Sequence, residues 1–238
     1  MITQKHDKRQ RTILMRALAM VSAMLVLIAT SVFARDCLDY ATYGGPHGDP
    51  PLAGGLLLPA SALDIAVQAG HAYLACGDGG LQVVELSEPT SPAWVGEEDL
   101  LGNAVTVATW EHLALVGVGS VIKVIDITSA PDPEWLQSLG IGSFVRDITI
   151  SGSLALAASD SAGLVVVDLD DDFLFGSLAT VTTTAPAWSA AVSADGSTAW
   201  VATDAGVEIV ALDGATPTLQ GTLVTGRPMR RVVRDGAL

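Results

Sequence analysis

The 238-residue sequence predicts an all-β fold, built from short antiparallel strands gathered into repeated four-stranded sheets. Three observations carry that expectation. A seven-residue pattern recurs as GLQVVEL from Gly80, VIKVIDI from Val121 and GLVVVDL from Gly163. The apolar pieces are short and rich in Val and Ile, which suits strands. Between them stand turn residues, as in Gly77-Asp78-Gly79-Gly80, Ser159 to Gly163 and Asp204-Ala205-Gly206, and Gly and Asp tolerate the positive φ of tight hairpins.

The first 34 residues stand apart. Lys5, Lys8, Arg9, Arg11 and Arg16 form a basic head, and Ala17 to Ala34 is uncharged and mostly apolar, ending in Val32-Phe33-Ala34. That is the layout of a cleaved secretory signal. The alternative is an uncleaved anchor, although the run is at the lower limit of what crosses a bilayer. Arg35 and Asp36 ahead of Cys37 argue against a lipoprotein signal, which wants small residues there. Residues 35–50 read as a linker.

From residue 51 the chain reads as repeats, at about 61–102, 103–142, 143–184 and 185–226, with a partial unit over 227–238. Segments beginning at His71, His112, Ser153 and Ser197 align with one another, and each is preceded by a short apolar piece: LDIAV, VTVA, DITI and SAAV. Helical solenoids share this period, but no capped amphipathic run of ten or more residues follows the signal, so each repeat is expected to be four strands. The third strand is apolar at consecutive positions, as in Val165-Val166-Val167. Such a run is covered on both faces, and the cover available is the sheets before and after it. Four-stranded sheets packed face to face about an axis make a β-propeller.

The fourth strand has its own echo in Pro92-Ala93-Trp94, Pro133-Glu134-Trp135 and, more weakly, Pro217-Thr218-Leu219. Proline suits the entry to an outer strand, and Trp94 and Trp135 are expected to cover the outer gap between blades. Pro51 continues the same comb backwards, which predicts a lone outer strand ahead of the first unit. MRRVVRDGAL, from Met229, looks like the first strand of a fifth unit. The expectation is therefore four whole repeats with partial ones at each end, an incomplete ring, and a chain that is the front part of a longer protein.

In GLVVVDL with its echoes, AYLA before a Gly/Asp turn, and the runs SEPTSP and TSAPDP after the third strand, the chain resembles the LVIVD repeat, a β-propeller repeat of exported bacterial and archaeal proteins. The resemblance covers about residues 50–238. The third repeat departs by losing the prolines, and the fourth by carrying Ala211 in place of the third-strand acid. It implies a propeller at the cell surface or in the envelope, and no catalytic residue.

Composition narrows the partners. Without residues 1–34 there remain seven Lys and Arg against 25 Asp and Glu, a net charge of about −18. Nucleic acid needs clustered cations and is a poor partner for such a surface. The one basic cluster is Arg227, Arg230, Arg231 and Arg234. Asp168, Asp170, Asp171 and Asp172 are weak calcium candidates, since they lack the spacing and glycine of a calcium loop, and the rival reading is a solvated blade edge. His71 and His112 occupy the same repeat position in this alignment, and two imidazoles alone make a poor metal site. His47 reads as a loop residue. Cys37 and Cys76 are either bridged, as export allows, or unpaired with Cys76 in the core. No G-x-S-x-G elbow, P-loop or dinucleotide fingerprint occurs. The expected function is an exported, non-enzymatic binding or scaffolding module with a protein or glycan partner and no stable membrane span after signal cleavage. An enzyme with a channel active site partly in missing blades, and a structural spacer, are the alternatives.

Overall fold

The computed structural model describes residues 55–88, 90–170, 178–212 and 216–234. The signal and linker segments lie outside these residues, as do Cys37, His47, Pro51, Asp171 and Asp172.

The first sheet comprises β1 (Asp64–Gln68), β2 (His71–Ala75), β3 (Leu81–Glu85) and β4 (Ala93–Glu98). The second holds β5 (Ala104–Trp110), β6 (Leu113–Val118), β7 (Val121–Asp126) and β8 (Glu134–Gly140). β9 (Asp147–Ser151), β10 (Leu154–Ser159), β11 (Gly163–Asp168) and β12 (Leu178–Val181) make the third. The fourth contains β13 (Ala187–Val192), β14 (Thr198–Thr203), β15 (Gly206–Ala211) and β16 (Thr218–Val224). Strands are adjacent in chain order within every sheet, and all pairings are antiparallel. The described residues contain no helix.

The first strands β1, β5, β9 and β13 contact one another in succession and line the axis. That succession is not closed by packing of β13 against β1, so the sheets form an open arc of a propeller. Three cores lie between consecutive sheets. Tyr73, Leu81 and Val83 meet Val107, Val116 and Ile125 between the first and second. Leu115, Ile122 and Val124 meet Ile148, Val165 and Val167 between the second and third. Leu156, Leu164 and Val166 meet Ala190, Val201 and Val210 between the third and fourth. Alternate residues of β11 thus belong to two different cores, which is why the third strand is apolar without a break.

Two third strands open with glycine for a steric reason. Gly163 (φ +88°) and Gly206 (φ +145°) bring their backbones against the Val181 and Leu223 carbonyls of the outer strands, where a Cβ would collide. A recurring backbone bond joins each sheet to the next first strand: Gly77 and Ala104 exchange both bonds, Val145 N–H donates to Gly119 O, and Ala187 N–H donates to Asp160 O. Met229 N–H continues the series by donating to Thr203 O.

The lone outer strand expected from Pro51 falls partly outside the described residues; within them Gly55 to Leu63 form no strand, and Leu58 and Ala60 pack on the outer face of the first sheet, against Ala72, Leu74, Cys76 and Val84. Other expectations need correction. Residues 227–234 follow the path of a further first strand, with Val232 N–H and O both meeting Ser189 Oγ, but they pair in no sheet. Trp94 and Trp135 do not seal the gap between blades. Each is about half exposed and rests on the third strand of its own sheet: the Trp94 indole donates to Gln82 Oε1 at 2.7 Å, and Lys123 Nζ lies 5.5 Å from the Trp135 ring.

His71 and His112 do not share a position either. His71 pairs with Glu85, whereas Leu113 holds the matching place opposite Asp126. The equivalent of His112 is Gly70, since Leu86 N–H bonds Gly70 O as Ile127 N–H bonds His112 O.

Candidate functional site

The first strands bring Asp64, Thr106, Asp147 and Ser189 to one end of the axis, at steps of 42, 41 and 42 residues, and Arg231 follows after another 42. The residues just ahead of them, Leu63, Val105, Arg146, Trp188 and Arg230, form a second layer above. With Phe144 the two layers line a cavity of about 350 Å³ at the mouth of the channel. Below it an open groove runs along the first strands and is bordered by Asp64, Asp147, Ser189, Arg231 and Arg234.

β-Bulges build part of this mouth. The register of β5 shifts between Ala104 and Thr106, and that of β13 between Ala187 and Ser189. Val105 and Trp188 are therefore the extra residues, and a bulge re-aims the side chain it carries.

The lower layer is cross-tied. Asp64 Oδ2 accepts Thr106 Oγ1 at 2.8 Å and Val107 N–H at 2.9 Å. Asp147 Oδ2 accepts Ala190 N–H at 3.3 Å. Burial pushes the Asp147 carboxyl above the ordinary carboxylate range, opposed by the bonds from Ser189 and Ala190; the Asp64 charge adds to the rise and Arg231 counters it.

The upper layer is a ladder of cations and rings. The Arg146 guanidinium lies 4.6 Å from the Phe144 ring centre and 4.4 Å from that of Trp188, and Arg230 lies 3.7 Å from Trp188. Two turn acids hold the ladder. Asp160 pairs with Arg146 Nη2, while Asp204 accepts Arg230 Nη1 at 3.0 Å and the Trp188 indole N–H at 3.0 Å. Such contacts fix the planes of the guanidinium groups and leave their remaining N–H edges for a ligand.

From the sequence alone Asp160 and Asp204 read as turn residues, and Asp64 and Asp147 are not marked out. A signal for the latter pair exists: Asp64, second in LDIAV, and Asp147, first in DITI, stand in the same column. The calcium candidates lie elsewhere. Asp168 ends β11 and its Oδ1 accepts Asp170 N–H at 3.1 Å, a local turn bond. Among the described residues no three His, Cys, Asp or Glu side chains are grouped to hold a metal ion. His71 Nδ1 lies 3.1 Å from Ala69 O. Cys76 is buried against Ala72, Leu74 and Val84, and burial raises its thiol pKa.

Comparison with known proteins supports the repeat and the fold. The LVIVD repeat family model matches residues 59–99 and 142–171, segments that hold the first sheet and most of the third. Among solved structures, the chain is similar to a functionally unknown protein from Desulfotomaculum acetoxidans DSM 771, at 16% identity and a TM-score of 0.61, covering 73% of this chain and 59% of that one. It is also similar to the computationally designed Ika8 protein, at 13% identity and a TM-score of 0.56, covering 71% of this chain and 50% of that one. The chain thus spans between half and three fifths of the length of these two, and at such identities the likeness concerns the fold alone. No curated protein matches.

Proposed function

We propose that this LVIVD-repeat, propeller-type protein is an exported, non-enzymatic binding or scaffolding module that works at the cell envelope or outside it, and that it binds through the channel mouth. The observation that carries the reading is the Arg146–Trp188–Arg230 ladder, fixed by Asp160 and Asp204 above a cavity. A concave site with a few polar groups held in place by a rigid scaffold is suited to recognition. Export is supported by the basic head and apolar core of residues 1–34 and by the acidic character of the rest of the chain.

The test is capture of envelope or extracellular material on immobilised protein lacking residues 1–34. Retention that disappears in the double variant Trp188→Ala/Arg230→Ala, and persists in Thr222→Ala on outer strand β16, supports the reading. Retention indifferent to the mouth contradicts it. N-terminal sequencing of the protein recovered from outside the cytoplasm tests cleavage after Ala34.

A second reading is kept by one observation. Asp147, with its raised carboxyl pKa, lies in the channel near Asp64, as a catalytic acid would. Saturable turnover of a substrate that is lost in Asp147→Asn favours an enzyme instead.

A further inference from the structure

The mouth offers more chemistry than a general binding surface needs. Its lining carries three arginines, Arg146, Arg230 and Arg231, beside two carboxylates, Asp64 and Asp147, while Asp160 and Asp204 pair with Arg146 and Arg230 from the turns behind. Only six Lys and Arg occur between residues 55 and 234, and half of them meet here.

The donors are partly unspent. A guanidinium has five N–H groups in one plane. Within the described residues Arg146 uses Nη2 on Asp160, and its Nε is buried with no acceptor. Arg230 uses Nη1 on Asp204. Arg231 is exposed and, among the described residues, forms no ion pair.

Trp188 is a poor platform for a sugar ring, because Arg146 approaches it from the sheet before and Arg230 from the segment after. The apolar part of the lining is Leu63, Val105 and Phe144 instead, with Leu63 57% exposed. Doubly charged phosphate is disfavoured by Asp64 and Asp147 at the floor.

We propose that the channel mouth binds an organic monocarboxylate: the arginine edges take the carboxylate, and Leu63, Val105 and Phe144 take an adjoining apolar group. The proposal rests on the mouth being the binding site, as argued above, and gives that site a ligand class. Two sources share this chemistry, the C-terminus of a peptide ending in an apolar residue and a free aryl or alkyl acid.

Calorimetric titration of the protein lacking residues 1–34 separates the possibilities, with three probes: 3-phenylpropanoate, the peptide Gly-Gly-Phe with a free C-terminus, and the same peptide as its C-terminal amide. At least one carboxylate is expected to bind saturably, and at least about tenfold more tightly than the amide, since a charge-assisted bond to arginine is worth roughly that factor. Binding of the peptide alone assigns the peptide source, and equal binding of both carboxylates assigns the free acid group as sufficient. Arg231→Gln, an exposed change with an unaltered melting curve, is expected to weaken the carboxylate about tenfold. Equal binding of acid and amide, no effect of Arg231→Gln, or no saturable carboxylate binding overturns the proposal. If carboxylates fail while capture of envelope material still depends on Trp188 and Arg230, the ligand class falls and the mouth remains the binding site.

Discussion

Val165 and Val166 are consecutive in β11, yet Val165 packs toward the second sheet and Val166 toward the fourth. Both are almost fully buried. Removing two methyl groups from either side chain, as in Val165→Ala or Val166→Ala, is expected to cost about 2 kcal/mol. Because the two cores share no residue, the costs should add in the double variant to within about 0.5 kcal/mol. Urea denaturation of the three variants checks this, and strong coupling would mean that one shared core surrounds β11.

Gly163 and Gly206 stand at positive φ against outer-strand carbonyls. Gly163→Ala and Gly206→Ala should each destabilise by about 1–3 kcal/mol, from backbone strain and collision together. Gly221, in β16, has nothing within 4 Å of a built Cβ and no positive φ, so Gly221→Ala serves as the neutral control. Thermal melts of the three variants give the comparison.

Two acids bend the stability curve in opposite directions. Burial raises the folded-state pKa of Asp147. The folded state therefore holds its proton more tightly than the unfolded one, and stability from this group falls as pH rises from the ordinary carboxylate value through the raised one. Asp195 is the reverse case: bonds from Ser193 and Ser197 lower it to about 2, so its contribution is present above the ordinary value and is lost as pH falls toward 2. Asp147→Asn should remove the first slope, and Asp195→Asn the second. Urea midpoints measured from pH 3 to 7 distinguish them, and an unchanged profile in Asp147→Asn contradicts the burial argument.

The ends of the arc expose apolar side chains. Ile65 and Val67 are 57% and 61% exposed on the first sheet, and Leu223 and Ile209 are 63% and 36% exposed on the last. Each is worth roughly 1.5–3 kcal/mol when buried, so the protein lacking residues 1–34 should associate as concentration rises. Ile65→Lys and Leu223→Lys should each shift sedimentation toward the monomer. A monodisperse monomer at high concentration contradicts an open arc.

The repeated strands were legible in the sequence because burial in a stacked sheet depends on position along the strand. Val165, Val166 and Val167 need no knowledge of their partners to read as doubly covered. The mouth was harder to read, since its upper column, Leu63, Val105, Arg146, Trp188 and Arg230, mixes aliphatic, aromatic and cationic side chains and emerges only when the first strands are aligned. The bulges at Val105 and Trp188 carry no sequence mark of their own. The alignment of His71 with His112 failed by one residue because the hairpin between β2 and β3 is longer than the one between β6 and β7, which a turn of glycines and Asp78 conceals. Asp160 and Asp204 fit a turn so well by themselves that nothing local pointed to Arg146 and Arg230.

The account depends on first strands standing side by side about one axis, with Asp64 against Thr106 and Asp147 beside Ser189. Paired cysteines test that placement most directly: Asp64→Cys with Thr106→Cys, Asp147→Cys with Ser189→Cys, and, as the control, Gln68→Cys with Thr106→Cys across opposite ends of neighbouring strands. Mild oxidation followed by mass mapping of linked peptides should find a bridge in the first two pairs and none in the third. A bridge in the control, or none in the first two, would contradict the radial arrangement.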